Sequence, residues 1–163
     1  MKTNVFAKRS VLIVVALVAA LAPVFALSST GSLSLSGTVS PITAITVTAD
    51  PNASALPVGT ATSNLKIATV VELSNSKSGY TVTLSSTNGA VLKETAGTDS
   101  LAYSLTYNST PVTFTAGSAT LTTSTTRSAT AAGSSNTLYI SFGAAFLNAD
   151  SYTDSLTFTI TSP

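Results

Sequence analysis

Cysteine and histidine are absent from the 163 residues, and charged side chains make up only 8% of them. Without a thiol or an imidazole, the chain lacks the commonest zinc ligands, the activated thiolate and the usual general base. No disulfide framework braces it, so stability rests on packing, backbone pairing or association. Positive charge is scarcer still once the start of the chain is considered. Lys2, Lys8 and Arg9 precede an apolar stretch from Val11 to Ala22, and Val24-Phe25-Ala26 follows as a cleavage-type site, the layout of a secretory leader over residues 1–26. Pro23 interrupts the apolar stretch well short of the roughly 20 residues needed to span a bilayer. Cleavage after Ala26 leaves Lys66, Lys77, Lys93 and Arg127 against six acidic residues, a net charge of −2. That balance offers no phosphate-neutralising surface, which argues against a nucleic-acid partner.

Long 3.6-residue periodicity is also missing, as is any exact internal repeat. What the chain has in abundance is hydroxyl: 29 threonines and 26 serines. Such a composition suits a disordered stalk unless apolar residues recur at a fixed spacing, and here they do. Threonine is β-branched and suits a pleated, half-exposed strand, so alternation with apolar residues at low charge reads as β-sheet. The exported part has the length of one ordinary domain with a core.

Ile45, Val47 and Ala49 share one face, with Thr46 and Thr48 on the other, before Asp50-Pro51-Asn52 ends the segment. Leu65, Ile67, Thr69, Val71 and Leu73 form an expected inward series, opposite Lys66, Ala68, Val70 and Glu72. Tyr80, Val82 and Leu84 repeat the pattern and lead to Asn88-Gly89, whose tolerance of positive φ predicts a tight hairpin. Leu101, Tyr103, Leu105 and Tyr107 mark one central strand, and Val112 to Phe114 a short edge strand after Pro111. Residues 115–136 hold only Leu121 as a large aliphatic anchor and are expected to contain a short strand over 119–123 followed by a mobile loop. Leu138, Ile140 and Phe142 resume a strand, and Tyr152, Leu156, Phe158 and Ile160 mark the last one. Short strands with turn-rich joins favour a two-sheet sandwich, with a barrel as the alternative closure.

Ahead of these strands, Leu33, Leu35, Gly37 and Val39 alternate with small polar residues near the mature N-terminus. Such a stripe can serve as a donor strand, offering backbone groups to a groove and every second side chain to its floor, with Gly37 allowing close approach. Inserted into its own domain it completes a monomer; inserted into a neighbour it makes a head-to-tail contact that does not close, and a filament results.

Three stretches carry a resemblance to the major subunits of bacterial chaperone–usher fimbriae, especially the cysteine-free kind. They are Ser32 to Pro41 with Ile45 to Ala49, Gly79 to Gly89, and Ala149 to Ile160. The last is also similar to secreted spore-coat-U-like domains. The resemblance implies an incomplete immunoglobulin-like β-sandwich over residues 41–163, completed by donor-strand exchange through an extension at residues 27–40. It implies as partners other copies of the chain or related pilins, a periplasmic chaperone and an outer-membrane usher, with export through the periplasm to a surface fimbrium. It also places Tyr152, Leu156, Phe158 and Ile160 in the acceptor groove. The chain departs from many relatives in lacking a disulfide and in having a short arm before Leu33.

Other chemistry finds little footing. Asp150 and Asp154 flank Tyr152, with Glu94 and Asp99 as further carboxylates to meet in space, but calcium needs about six to eight oxygens and no loop here has that pattern. No metal, cofactor or catalytic group is therefore expected. Lys66 or Lys77 joined to an asparagine with help from Glu72 is a conceivable internal amide crosslink, but it demands a buried three-group geometry that spacing alone does not specify. The five tyrosines read as packing residues with hydroxyls on polar partners rather than as a glycan platform. Asn52-Ala53-Ser54 and Asn108-Ser109-Thr110 match a glycosylation triplet and read as turns. Two functions remain to be weighed: a polymerising structural subunit supporting adhesion or biofilm formation, and a self-contained secreted adhesive or coat-like domain whose receptor the chain does not name.

Overall fold

The computed structural model describes residues 27–163, so the leader expected at residues 1–26 lies outside the described residues. Residues 27–37 contain no strand or helix and are exposed throughout. The compact unit that begins at Thr38 is an all-β, antiparallel, sandwich-like fold.

Its strands are β1 (Thr43–Ala49), β2 (Thr62–Ser74), β3 (Tyr80–Ser86), β4 (Val91–Glu94), β5 (Ser100–Ala102), β6 (Ser104–Tyr107), β7 (Thr110–Val112), β8 (Ser118–Ser124), β9 (Ser134–Phe142), β10 (Tyr152–Thr153) and β11 (Leu156–Thr161). One sheet runs β1-β2-β9-β6-β7, a second β11-β3-β8 and a third, shorter one β10-β4-β5. Val70, Leu105, Leu138 and Ile140 from the first sheet meet Leu84 of the second and Leu92 and Leu101 of the third in one buried cluster. The period-two readings of β3 and β9 hold. Tyr80, Val82 and Leu84 are buried, as are Leu138, Ile140 and Phe142, because alternate side chains of a strand leave the same face of the pleat.

The structure departs from the alternation in β2. Ile67 is buried, but so are Ala68, Val70, Glu72 and Ser74, whereas Thr69, Val71 and Leu73 are only partly covered. The register against β9 slips between Lys66 and Ala68. A bulge inserts one residue, and one residue is enough to exchange the two faces of everything beyond it. Glu72 thereby enters the interior, where it is 1% exposed.

Two connections also differ from expectation. Asn88-Gly89 forms a tight turn, with Gly89 at φ 71° and Ala90 at φ 63°, but it does not close a hairpin. The strand before it pairs with β11 and β8, and the strand after it with β5 and β10. The turn carries the chain from one sheet to another. The expected single strand from Leu101 to Tyr107 is likewise divided at Tyr103, where it leaves the third sheet and joins the first. All four inward residues are nevertheless buried. Finally, the segment after β8 is tied down, not free. Ser128 is buried, its hydroxyl accepts from the Ser74 N–H at 2.9 Å, and its own N–H donates to the Ser74 carbonyl at 2.8 Å.

Candidate functional site: an open groove between two sheet edges

β1 and β11 are both edge strands. Among the described residues the first is paired only with β2 and the last only with β3, so each presents an unpaired row of backbone N–H and C=O groups along one side. The expected last strand is divided: Tyr152 falls in β10 and pairs with Glu94 in the third sheet, while β11 keeps the alternation, with Leu156, Phe158 and Ile160 on its covered face and Thr157, Thr159 and Thr161 exposed. The coverage is incomplete, however. All three apolar residues are half-buried, unlike their counterparts in β3 and β9.

The reason is a groove of about 610 Å³ between the two edges. Val47 and Ala49 form one wall, Leu156 and Phe158 the other, and Ile140 reaches its floor. Val47 is 45% exposed although it lies on the same face of β1 as the partly buried Ile45. A short 3-10 helix, Pro51–Ser54, and Leu56 after it line the same end. Asp50 starts that helix, its carboxylate accepting the Asn52 N–H at 3.3 Å and lying 3.7 Å from the Lys66 ammonium.

The groove is open at one end and closed at the other. Where β1 begins and β11 ends, the Thr43 and Ser162 hydroxyls lie 2.9 Å apart, and the Ser162 and Ser74 hydroxyls 2.8 Å apart. Of the four residues expected on an acceptor surface, Tyr152, Leu156 and Phe158 line the groove; Ile160, near the closed end, does not. Sequence reasoning missed Leu56 and the helix before it, because nothing local says that the turn segment after β1 lines a groove shared with β11. The four residues of the expected donor stripe carry no strand structure. Leu33, Leu35 and Val39 are 84%, 86% and 83% exposed, and a Cβ added at Gly37 would meet nothing within 4 Å.

The open end has an ordered polar rim. Asp154 accepts hydrogen bonds from the Ser86 hydroxyl at 2.6 Å, the Tyr103 hydroxyl at 2.5 Å, the Asn88 N–H at 3.0 Å and the Ser155 N–H at 2.7 Å. Burial works to raise this carboxyl, but the hydrogen bonds together outweigh it and hold the group below the ordinary carboxylate range. Burial, and then Asp154 as acceptor, push the Tyr103 hydroxyl far above the usual phenol range. The Ser86 hydroxyl also accepts the Ala90 N–H at 2.7 Å, so its contact with this carboxylate fastens the turn after β3. Asp150 is spent on the backbone N–H groups of Ala96 and Ser151, and Asp99 on that of Asn148. Among the described residues, no three carboxylates gather where they would hold a metal ion.

Deeper in, Glu72 accepts from the Tyr107 hydroxyl at 2.5 Å, the Thr122 hydroxyl at 2.9 Å and the Tyr80 hydroxyl at 3.3 Å. Its hydrogen-bond partners are hydroxyls, not an amine, and Lys66 pairs instead with Asp50. Burial and the acceptor carboxylate push the Tyr107 hydroxyl far above its usual range. Tyr80, Tyr103 and Tyr107 thus combine packed rings with satisfied hydroxyls.

The class defined by this geometry is an all-β sandwich with an apolar cleft between two unpaired sheet edges. Comparison of the sequence with protein-family models and with curated proteins gives no match.

Proposed function

We propose that the chain is a structural subunit of a surface fibre, polymerising when residues 33–39 of one copy enter the groove between β1 and β11 of the next. The observation that carries this reading is the groove, which offers two unpaired backbone edges and half-buried apolar walls to an extended strand. A donor with apolar side chains at every second position satisfies both needs at once, by a ladder of backbone hydrogen bonds and by burial. Leu33, Leu35 and Val39 have that spacing, and they are among the most exposed large apolar residues described. Each contributes roughly 1.5–3 kcal/mol on full burial, before ordering costs.

On this reading the protein is an incomplete immunoglobulin-like sandwich of the fimbrial-subunit kind. A chaperone that lends a strand and an outer-membrane usher that exchanges it are its assembly partners, and the cell surface is its destination. No step of covalent catalysis is involved. The test is Leu35→Asp, which places a charge where the donor must be dry. Exported yield is expected to hold while denaturant-resistant oligomers fall by an order of magnitude or more. Unchanged polymer yield and dissociation rate in that variant would count decisively against donor-strand assembly.

A further inference from the structure

The groove accepts an extended strand whether it comes from the same molecule or another, so something must choose between them. We infer that Asn75 makes the choice, by pinning the chain just before β1 so that the donor segment is denied its own groove and offered to a second copy. This inference rests on the donor-strand reading above and concerns its direction.

Asn75 follows the last residue of β2 and grips the incoming chain at three points. Its side-chain amide donates to the Ser40 carbonyl at 2.8 Å, its side-chain oxygen accepts the Ile42 N–H at 2.7 Å, and its backbone N–H donates to the Ile42 carbonyl at 3.1 Å. Between the gripped residues stands Pro41, whose φ is fixed at a negative value, so it cannot take the positive φ that tight hairpin turns use, and which disfavours a helical conformation at Ser40. Residues 38–42 accordingly contain neither turn nor bend.

Self-insertion needs the opposite. β1 starts at the closed end of the groove, beside the Thr43, Ser74 and Ser162 hydroxyls. To reach its own groove, the donor must reverse direction within residues 40–42 and run back along β1. That reversal breaks both side-chain bonds of Asn75 and asks for a tight hairpin turn at a residue whose φ is fixed negative. The returning strand must then pass a closed seam before the lining begins at Val47, four residues or about 13 Å further on. A donor from another copy carries none of these requirements. Asn75 is therefore a positioning residue, and it does not line the groove.

The experiment compares the full exported chain with Asn75→Ala, Asn75→Asp, Pro41→Gly and Leu35→Asp. Native mass analysis reads the ratio of monomer to oligomer, and limited proteolysis reads whether residues 33–39 of the monomer are protected. The expected result for Asn75→Ala is a shift toward protected monomer of roughly tenfold, the scale expected from losing two hydrogen bonds. Asn75→Asp keeps the acceptor for Ile42 and loses the donor to Ser40, so it falls between. Pro41→Gly shifts the same way without altering β2, and it decides the matter if the Asn75 variants do not fold. Monomer and oligomer in wild-type proportion for both Asn75→Ala and Pro41→Gly overturn the inference, as do monomers whose arm stays open to protease. If Leu35→Asp leaves polymer unchanged, the donor-strand reading itself fails; if Leu35→Asp abolishes polymer while the Asn75 and Pro41 variants do nothing, only the directional role of Asn75 fails.

Discussion

Glu72 shows how a single carboxylate is made to fit an apolar interior. Three hydroxyl donors from three strands share its two oxygens, which compensates for desolvation without a buried cation. Glu72→Ala strands the Tyr80, Tyr107 and Thr122 hydroxyls and leaves a void. It is expected to cost about 3 kcal/mol or more, measured by urea unfolding, and Glu72→Gln, which keeps one acceptor oxygen, about half as much. Asp154 makes the pH prediction. Because its folded-state pKa is depressed, its contribution is complete above the ordinary carboxylate value near ~3.9 and drains away as pH falls through the lower folded-state value. Thermal unfolding of Asp154→Asn should be less stable than the parent at neutral pH, with the difference shrinking below about pH 4. The tyrosines work in the other direction. Tyr103 and Tyr107 are held protonated by the fold, so their contribution is present below the ordinary phenol value near ~10 and is lost as alkali raises the pH through the higher folded-state values.

At the scale of elements, connections are specified by backbone conformations that few residues adopt. Gly79 sits in the link between β2 and β3 at φ 87°, and a Cβ placed there would come within 1.8 Å of the Ser124 carbonyl oxygen on β8. Gly89 also has positive φ, at 71°, but a Cβ there meets nothing within 4 Å. The two glycines separate backbone strain from collision. Gly89→Ala is expected to lose about 1 kcal/mol and Gly79→Ala several times that, with the denaturant midpoints reporting the difference. Alternation located β3 and β9 correctly because each keeps one phase along its length, and it found β11 but ran it together with Tyr152, which belongs to another sheet. It misjudged the far half of β2 because the slip between Lys66 and Ala68 arises from pairing with β9, and the residues there do not advertise it. Asn88-Gly89 was legible as a turn but not as a crossing between sheets, since turn chemistry sets local dihedrals and leaves open which strand the chain meets next.

For the whole molecule, the proposed entry of one copy's arm into the next copy's groove predicts head-to-tail growth. Val47→Asp puts a carboxylate on the groove wall, where water solvates it until a donor arrives. That variant can still give a strand but cannot take one. A chain lacking residues 30–40 can take one but cannot give. Each alone is expected to stay monomeric, and an equimolar mixture to form dimers and nothing longer, as native mass analysis would register. Chains of higher order in the mixture would mean that the contact is not the donor–groove pair.

Period-two patterning, abundant threonine and the lack of helical periodicity determined the all-β class, most strand positions and the exposed stripe at Leu33, Leu35 and Val39. These are properties of single strands, set by the alternation of side chains across a pleat and by β-branching, so a linear reading reaches them. The groove is different in kind. It depends on which strands end up at the edges of which sheets, and on Leu92 and Tyr103 arriving from parts of the chain far from the walls they complete. The burial of Glu72 and the grip of Asn75 on residues 40–42 are likewise tertiary, because each requires partners brought together by a register slip or by the docking of β1 on β2. Alternation is written one residue at a time, whereas an unpaired edge is a relation among strands that exists only after the chain has chosen its neighbours.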